Sequence, residues 1–200
     1  GYDADTALTM NVNALIPAHL CEEHRQYIDT LVTNDKADYK SRETQRITKS
    51  GTLIDIWLTA TLLRNHEGEA EFVAITERNV TDQKRDAERF RAVFESAPDA
   101  MIITNADGRM IQANTQAAEL FGYSLTELLQ QSFEILIPSR FHHEHRKKHA
   151  DFLKNPTSRE MAAGQELCCL NKAGREIPVE ISLSPITVAG ETTTVVRVRD

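Results

Sequence analysis

Three histidines on one predicted helix are the residues of this chain best placed to bind a metal ion or another ligand. His142, His145 and His149 lie in a helix predicted from about Ser139 to Leu153, and spacings of three and four residues put them on one helical face. Imidazoles arranged in this way can share a zinc ion. Because no cysteine or acidic cluster supplies a convincing fourth ligand, we predict no metal site. A purely structural role for these histidines is the alternative.

No other pattern in the sequence indicates catalysis. There is no phosphate-binding glycine loop, nucleophile elbow, HExxH segment or kinase signature. Cys21, Cys168 and Cys169 form no CxxC pair, and neighbouring residues of a strand point to opposite faces. We therefore expect three reduced thiols, a cytoplasmic location and no enzymatic activity in this segment.

Composition and charge limit the classes of partner. The 200 residues are 40% hydrophobic and 26% charged, which is typical of a folded globular protein. Residues 1–82 carry 14 acidic and 8 basic side chains, and residues 83–200 carry 16 and 15. Neither half has the basic excess that nucleic-acid binding requires, and no apolar stretch is long enough for membrane insertion.

An internal repeat divides the chain into two copies of one domain. An offset of 121 positions aligns residues 1–25 with residues 122–146, and nine of these 25 positions are identical without a gap. Self-similarity of this kind indicates a duplicated structural unit. The matches are Gly1-Tyr2 with Gly122-Tyr123, Leu15–Pro17 with Leu136–Pro138, Glu23–Arg25 with Glu144–Arg146, Lys49–Gly51 with Lys172–Gly174 after a two-residue change, and Arg78-Asn79 with Arg199-Asp200.

Alternating hydrophobicity predicts the strands of each copy. In the second copy Ile177, Val179, Ile181 and Leu183 alternate with mostly polar residues, as in a sheet with one buried face. The same alternation runs from Ile54 to Leu62 in the first copy. The predicted elements of the second copy are a hairpin from residue 100 to about 111, helices over 115–120, 125–131 and 139–153, and strands near 164–171, 175–185 and 191–199.

The first copy lacks any counterpart of residues 98–121, and therefore of the opening hairpin. Either the sequence begins inside a domain, or the missing strands come from another segment or a partner chain. Without the hairpin, the last strand of the first copy is expected to have an open edge that can pair with another chain.

Several short segments of the chain follow one family pattern: Phe94–Met101, Asn105–Arg109, Asn114, Leu120–Tyr123, Leu136–Pro138, Asn171–Arg175 and Glu180–Ile186. With these segments the chain resembles PAS domains over nearly all of residues 90–200, and it resembles them over residues 1–82 as well. The resemblance implies an α+β fold in which each copy is a five-stranded antiparallel sheet with helices over one face. It divides the chain into an N-terminally incomplete PAS domain (1–82), a linker helix (83–97) and a complete PAS domain (98–200).

The resemblance also implies a heme site as one alternative. His145 and its repeat mate His24 hold the position from which heme-based oxygen-sensing PAS domains supply the proximal iron ligand. Arg42 lies where such sensors place a distal arginine, and Gln165 takes that place in the second copy. Many PAS domains without known heme share this pattern. Noncovalent flavin is the weaker cofactor alternative, because no cysteine lies in the sequence context of flavin photochemistry.

The function implied is a sensory input module. We expect a small ligand or redox change in a PAS pocket to pass through helices to a linked output domain beyond Asp200, of the histidine kinase, diguanylate cyclase or chemoreceptor type. Asn79–Asp82 resembles the triplet with which PAS domains enter an output helix. The stripe of Ala87, Phe90, Val93, Phe94 and Ala97 makes that helix, or the PAS sheet, a candidate homodimer interface. A ligand-free interaction module is the rival interpretation.

Overall fold

Alternation of apolar and polar residues produces two antiparallel sheets in this protein. A computed structural model of the chain describes residues 1–33, 39–161, 167–188 and 190–200. The chain forms two compact units, unit 1 from Gly1 to Arg89 and unit 2 from Phe90 to Asp200. No helix within the described residues has the length and apolar character needed to cross a membrane.

Unit 1 is a three-stranded sheet with helices before it. The strand order is β1-β2-β3, all antiparallel. Among the described residues, no strand pairs with the outer edge of β3. The elements are α1 (Ala4–Thr9), two 3₁₀ turns (Val12–Leu15 and Ala18–Leu20), α2 (Cys21–Thr33), β1 (Tyr39–Ile47), β2 (Leu53–Arg64), β3 (Ala70–Asn79) and α3 (Thr81–Ser96), which begins in unit 1 and ends in unit 2.

The core of unit 1 lies on one face of this sheet. Ile56, Leu58, Ala60 and Leu62 on β2 are buried with Leu31 of α2. These β2 residues are the predicted alternating set, because side chains two apart on a strand share a face. The face that they form with helix α2 is called the inner face of unit 1 below.

Unit 2 has a larger sheet with three helices on one side. Its strand order is β5-β4-β9-β8-β6, and β7 pairs with β8 as well. The core cluster of buried apolar residues includes Ile102, Phe121, Leu136 and Val198. The elements are β4 (Ala100–Thr104), β5 (Met110–Ala113), α4 (Thr115–Phe121), α5 (Leu125–Leu128), 3₁₀ turns (Phe133–Leu136 and Ser139–Phe141), α6 (His142–Lys154), β6 (Arg159–Glu160), β7 (Leu167–Leu170), β8 (Glu176–Val188) and β9 (Glu191–Arg199).

The sheet of unit 2 has six strands, so the five-stranded sheet predicted for the second copy is wrong by one strand. The two-residue strand β6 pairs with Ser182 and Leu183 of β8, and β7 pairs with residues 176–179 of β8. Strand β8 has 13 residues, so its second half extends past the four-residue β7. The backbone groups left free there need partners, and the segment after α6 supplies them.

Two predicted helices also begin or end at other residues. The helix predicted over 125–131 ends at Leu128, because Leu129 is extended with a ψ of 138°. Gln130 then adopts a φ of 68°, a left-handed conformation that an α-helix cannot contain. The helix predicted from Ser139 begins as a 3₁₀ turn after Pro138 and becomes α-helical at His142.

The sheets of the two units share one register of strand pairing. In unit 1 Arg46 pairs with Ile54, and in unit 2 Cys169 pairs with Ile177, which is the same pair displaced by 123 positions. Farther along, Trp57 pairs with Arg78, and Glu180 pairs with Arg199. These offsets of 123 and 121 are the ones at which the sequence repeats. Over these stretches β1, β2 and β3 correspond to β7, β8 and β9, whereas Ser182 and Leu183 of β8 pair with β6.

Candidate functional site

A cavity lies between helix α6 and the face of the unit 2 sheet that carries Thr104, Leu183 and Val196. This face is called the inner face of unit 2 below. The volume of the cavity is about 210 Å³, and its wall is largely apolar. Helix α6 follows the Leu136–Pro138 segment and places His145 and His149 in the cavity wall. Apolar residues of the wall include Phe133, Ile137, Phe152, Leu183 and Val196.

The cavity wall also has exposed charged residues, Glu144, Lys148 and Arg159, and two histidines of α6, His145 and His149. The ring of His145 stacks between Phe133 and His149, with centroid distances of 6.3 and 6.0 Å. Burial lowers the pKa of both imidazoles below the usual value, because a charged ring loses its hydration in the interior. Both rings are therefore neutral near pH 7 and able to donate or accept a hydrogen bond.

One nitrogen on each of these rings lacks a partner. His145 Nδ1 and His149 Nε2 are buried without a hydrogen bond. The third histidine differs, because His142 Nε2 lies 2.8 Å from the carbonyl oxygen of Ile137 and so connects α6 to the preceding loop. Across the described parts of the chain, no three His, Cys, Asp or Glu side chains converge as a metal site would require.

Two threonine hydroxyls face the cavity from the sheet. Thr104 of β4 and Thr194 of β9 are directly paired across the two strands, both are buried, and both line the cavity. Sequence reasoning missed them. A threonine at the end of a short apolar strand gives no signal until the pairing of β4 with β9 is known.

The two adjacent cysteines lie at the cavity in different environments. Cys169 is 1% exposed, and burial raises the pKa of its thiol to about 12, so it stays protonated. The Cys168 thiol donates a hydrogen bond to Glu176 Oε2 at 3.2 Å, and Arg140 bridges to the same carboxylate. Both cysteines, and Cys21, are free thiols. Neither cavity cysteine has the thiolate character needed for nucleophilic chemistry.

The heme resemblance implies one pair of residues in each unit, His24 with Arg42 in unit 1 and His145 with Gln165 in unit 2. His145 lines the unit 2 cavity, whereas His24 and Arg42 lie in unit 1. Gln165 lies outside the described residues. His24 is 5% exposed, and the charges of Arg46 and Arg42 add to burial in lowering its pKa.

The cavity does not fit a heme. At about 210 Å³ it lies below the range of about 300–1,000 Å³ that holds drug-sized ligands, and a tetrapyrrole is larger than most of these. In addition, the His145 ring is packed between Phe133 and His149. The space suits a molecule of a few non-hydrogen atoms.

Comparison with known families decides the identity of unit 2. A family model described as the PAS fold matches residues 88–200. The chain belongs to the PAS family. The match covers one PAS domain, which consists of unit 2 and the end of α3, and it does not extend over unit 1. The fold of this PAS domain is α+β, with an antiparallel sheet and helices.

Curated relatives of this PAS protein are sensors and a kinase. Oxygen sensor protein DosP of Escherichia coli strain K12 is 25% identical over 193 residues, which are 93% of this chain and 23% of DosP. Methyl sulfide methyltransferase-associated sensor of Methanosarcina acetivorans is 28% identical over an alignment of 208 residues. That alignment covers 96% of this chain and 20% of that sensor. The chain therefore spans about a fifth to a quarter of these relatives.

A shorter stretch matches sporulation kinase E of Bacillus subtilis, with 34% identity over 71 residues, 32% of this chain and 10% of the kinase. Among solved structures, the PAS domain of an HTR-like protein from Haloarcula marismortui has a TM-score of 0.51 and 23% identity, and covers 60% of this chain and 94% of that one. A PAS domain from Colwellia psychrerythraea has a TM-score of 0.51, 20% identity and coverages of 57% and 96%. Two of these three curated relatives are thus named as sensors and one as a kinase, and the two solved structures share the PAS fold.

A buried asparagine joins the PAS domain to the end of α3. The Asn114 amide donates to the carbonyl oxygens of Phe94 and Asp99, both at 3.1 Å. Its Oδ1 accepts from the backbone N–H groups of Met101 at 2.9 Å and Ala117 at 3.0 Å. Asn114 is fully buried, so all four bonds are shielded from water and hold helix α3 against strand β4 and helix α4.

Proposed function

We propose that this chain is the sensory part of a signalling protein, in which a small molecule binds in the unit 2 cavity. The observation that carries the proposal is the chemistry of that cavity: an apolar wall, two neutral imidazoles with unpartnered nitrogens and two threonine hydroxyls. Pockets of this kind bury an apolar ligand and orient it through a few polar groups. The segment itself has no catalytic role in this proposal.

The cavity favours a small, mostly apolar and uncharged ligand with one polar group. The charged residues of the lining, Glu144, Lys148 and Arg159, are exposed, and the first two pair with each other. An ion among the apolar side chains would therefore have no buried counter-charge to offset its desolvation. A single hydroxyl or carbonyl group can reach Thr104, Thr194 or an imidazole. The name of DosP, an oxygen sensor, supports a sensory role but not a particular ligand.

We also propose that unit 1 is a second, incomplete PAS copy. The support is the shared register, in which Leu58 pairs with Glu77 as Ile181 pairs with Val198. An independent fold would have no reason to keep both offsets of the sequence repeat.

The signal in this proposal leaves the pocket through the helices. A ligand shifts the equilibrium between two states of the domain only if it binds them with different affinity. Strand β4, which carries the cavity residue Thr104, also bonds through Met101 to Asn114 and so to α3. An output domain of the histidine kinase, diguanylate cyclase or chemoreceptor type would receive the change. The free cysteines support a reducing compartment, and we place the segment in the cytoplasm.

Exposed apolar residues on α3 support pairing of two chains. Phe90 is 50% exposed and Val93 is 71% exposed, although the predicted stripe places both on the side of Phe94, which is buried. Large apolar side chains exposed together often mark an interface. Homodimerisation through α3 belongs to the proposal and is compatible with ligand binding in the cavity.

Titration of the 200-residue chain with phenol, and separately with benzene, tests the proposal. Phenol adds one hydroxyl to the same apolar ring. We expect saturable phenol binding by calorimetry that is several-fold tighter than benzene binding, because one buried hydrogen bond contributes about 1 kcal/mol. Amide exchange measured with phenol should change in the last turn of α3.

Two leucine-sized positions on β8 provide the matched variants. Leu183→Phe fills the cavity and should abolish phenol binding. Ile186→Phe adds the same side chain three residues later on the same strand, where Ile186 is 42% exposed and outside the cavity wall, and should leave binding unchanged. Equal phenol affinity in both variants, or a heme absorption band in the purified protein, would refute the small-ligand proposal.

A further inference from the structure

We propose that the inner face of unit 1 binds a small carboxylate on the guanidinium group of Arg42. This site is separate from the unit 2 cavity and differs from it in chemistry. It rests on the contacts of four side chains, Arg42, Arg46, His24 and Tyr27, which lie between α2 and the sheet.

Arg42 is held in a fixed position on β1. Its Nη1 donates to Glu23 Oε1 at 2.8 Å, and its guanidinium lies over the Tyr27 ring, 4.4 Å from the centroid. The Tyr27 hydroxyl in turn donates to the backbone oxygen of Lys40. With 18% of its side chain exposed, Arg42 cannot move freely in solvent. A guanidinium positioned in this way loses little further entropy when it binds a ligand.

The opposite edge of the same guanidinium has no partner. Arg42 Nε and Nη2 are buried and make no hydrogen bond. These two nitrogens form the side-on fork of an arginine, whose parallel N–H groups match the two oxygens of a carboxylate. Buried charged donors without an acceptor are costly. A bound anion removes that cost, because it supplies the acceptors that the surrounding side chains do not.

The surrounding charges select a monoanion. Arg46 is 3% exposed on its side chain, and Glu77 Oε1 accepts from its Nε at 2.7 Å, so this arginine already has its counter-ion. Of the two arginines, Arg42 is therefore the one whose fork can take a ligand, and both Glu77 and Glu23 oppose a doubly charged ligand. A carboxylate is favoured over a phosphate dianion.

A neutral polar group completes the site. His24 Nδ1 is buried without a partner, and the charges of both arginines act on this imidazole. Because His24 is neutral, Nδ1 can donate to a carboxylate or accept from a hydroxyl beside it. The face of unit 2 has no counterpart of the arginine pair at the described positions, since Cys169 corresponds to Arg46.

Titration of the whole chain with sodium acetate tests this proposal, with sodium chloride at the same ionic strength as the control for screening. We expect a saturable NMR shift of the Arg42 Nε–H resonance and a rise in the melting temperature with acetate only. Arg42→Lys keeps the charge but loses the fork, and should weaken acetate binding roughly tenfold or more. Arg25→Lys, at an exposed arginine of α2 paired with Glu22, should leave it unchanged.

Other results of these titrations would overturn the proposal of a carboxylate site at Arg42. An absent or unsaturable shift, equal affinity in Arg42→Lys and the native chain, or tighter binding of inorganic phosphate would overturn the proposal. If Arg42→Lys unfolds, the titration of the native chain and its chloride control still give the answer. Acetate affinity should persist in Leu183→Phe, so failure of the unit 2 proposal and failure of this one can be distinguished.

Discussion

Matched positions on the inner faces of the two sheets carry opposite chemistry. Unit 1 has Arg46 and Glu77 where unit 2 has Cys169 and Val198. In unit 1 the two side chains form an ion pair across β2, while in unit 2 both are buried apolar residues. One strand register thus supports a charged face in one unit and an apolar cavity wall in the other.

Backbone pairing and ligand chemistry are therefore set by different residues in this fold. Pairing depends on alternation along β2 and β8, whose inward residues are aliphatic in both units. Residues on the two flanking strands then determine what the inner face can bind. A buried ion pair is a weak source of net stability, so the Arg46–Glu77 pair is expected to add little to the stability of unit 1 relative to an apolar pair.

The largest expected effect comes from breaking the ion pair of unit 1. Glu77→Val leaves Arg46 buried without a counter-ion, and should lower the free energy of unfolding by about 3 kcal/mol or more. The double variant Arg46→Cys with Glu77→Val, which copies unit 2, should recover most of that loss. Urea unfolding of the three proteins measures both quantities. A double variant as unstable as the single one would show that the two units do not share equivalent positions.

A smaller effect is expected at the exposed apolar residues of α3. Replacing Phe90 and Val93 together by serine removes apolar surface that a dimer would bury, and should weaken association roughly tenfold or more. Analytical ultracentrifugation across a concentration series measures it, with Ala92→Ser, off the stripe, as the control. Association that is unchanged in the double variant would place any dimer interface elsewhere, for example on a sheet.

The smallest expected effect is a pH dependence of the unit 2 site. The pKa values of His145 and His149 are lowered in the folded protein, mainly by burial, whereas the unfolded chain has ordinary values near 6.5. Below about pH 6.5 the unfolded state binds more protons than the folded state. The contribution of these two histidines to the free energy of unfolding is therefore constant above that pH and decreases as the pH falls below it.

His145→Gln keeps a polar side chain but removes one titrating group. The loss of melting temperature between pH 7 and pH 5 should therefore be smaller in His145→Gln than in the native chain. Comparing the change over this range, instead of the absolute stability, separates titration from packing. A loss of equal size in both proteins would mean that His145 is not shielded in the way described.

Much of the fold could be predicted from the sequence because it depends on local patterns. The alternation from Ile177 to Leu183 predicted β8, and the same pattern from Ile54 to Leu62 predicted β2. The repeat predicted two related units, and its offsets recur in the strand pairing of the two sheets. Strand β6 could not be predicted, since two residues carry no period, and it forms only because β8 extends beyond β7.

The candidate site was predictable only in part. His145 was identified through its place on α6, and it lines the cavity. Thr104 and Thr194 come together only through the pairing of β4 with β9, which links residues 90 positions apart. The unpartnered edge of Arg42 likewise depends on which donor contacts Glu23, a three-dimensional detail that residue type and spacing do not contain.

Parallel NMR titrations of one sample of the native chain test the central contrast most directly. With phenol, we predict shifts confined to unit 2 residues around the cavity, including Thr104, Thr194 and the backbone of α6. With acetate, we predict shifts at Arg42, His24 and their neighbours in unit 1. Perturbation of the same unit by both ligands, or no saturable shift with either, would contradict the conclusion that one register presents two different binding faces.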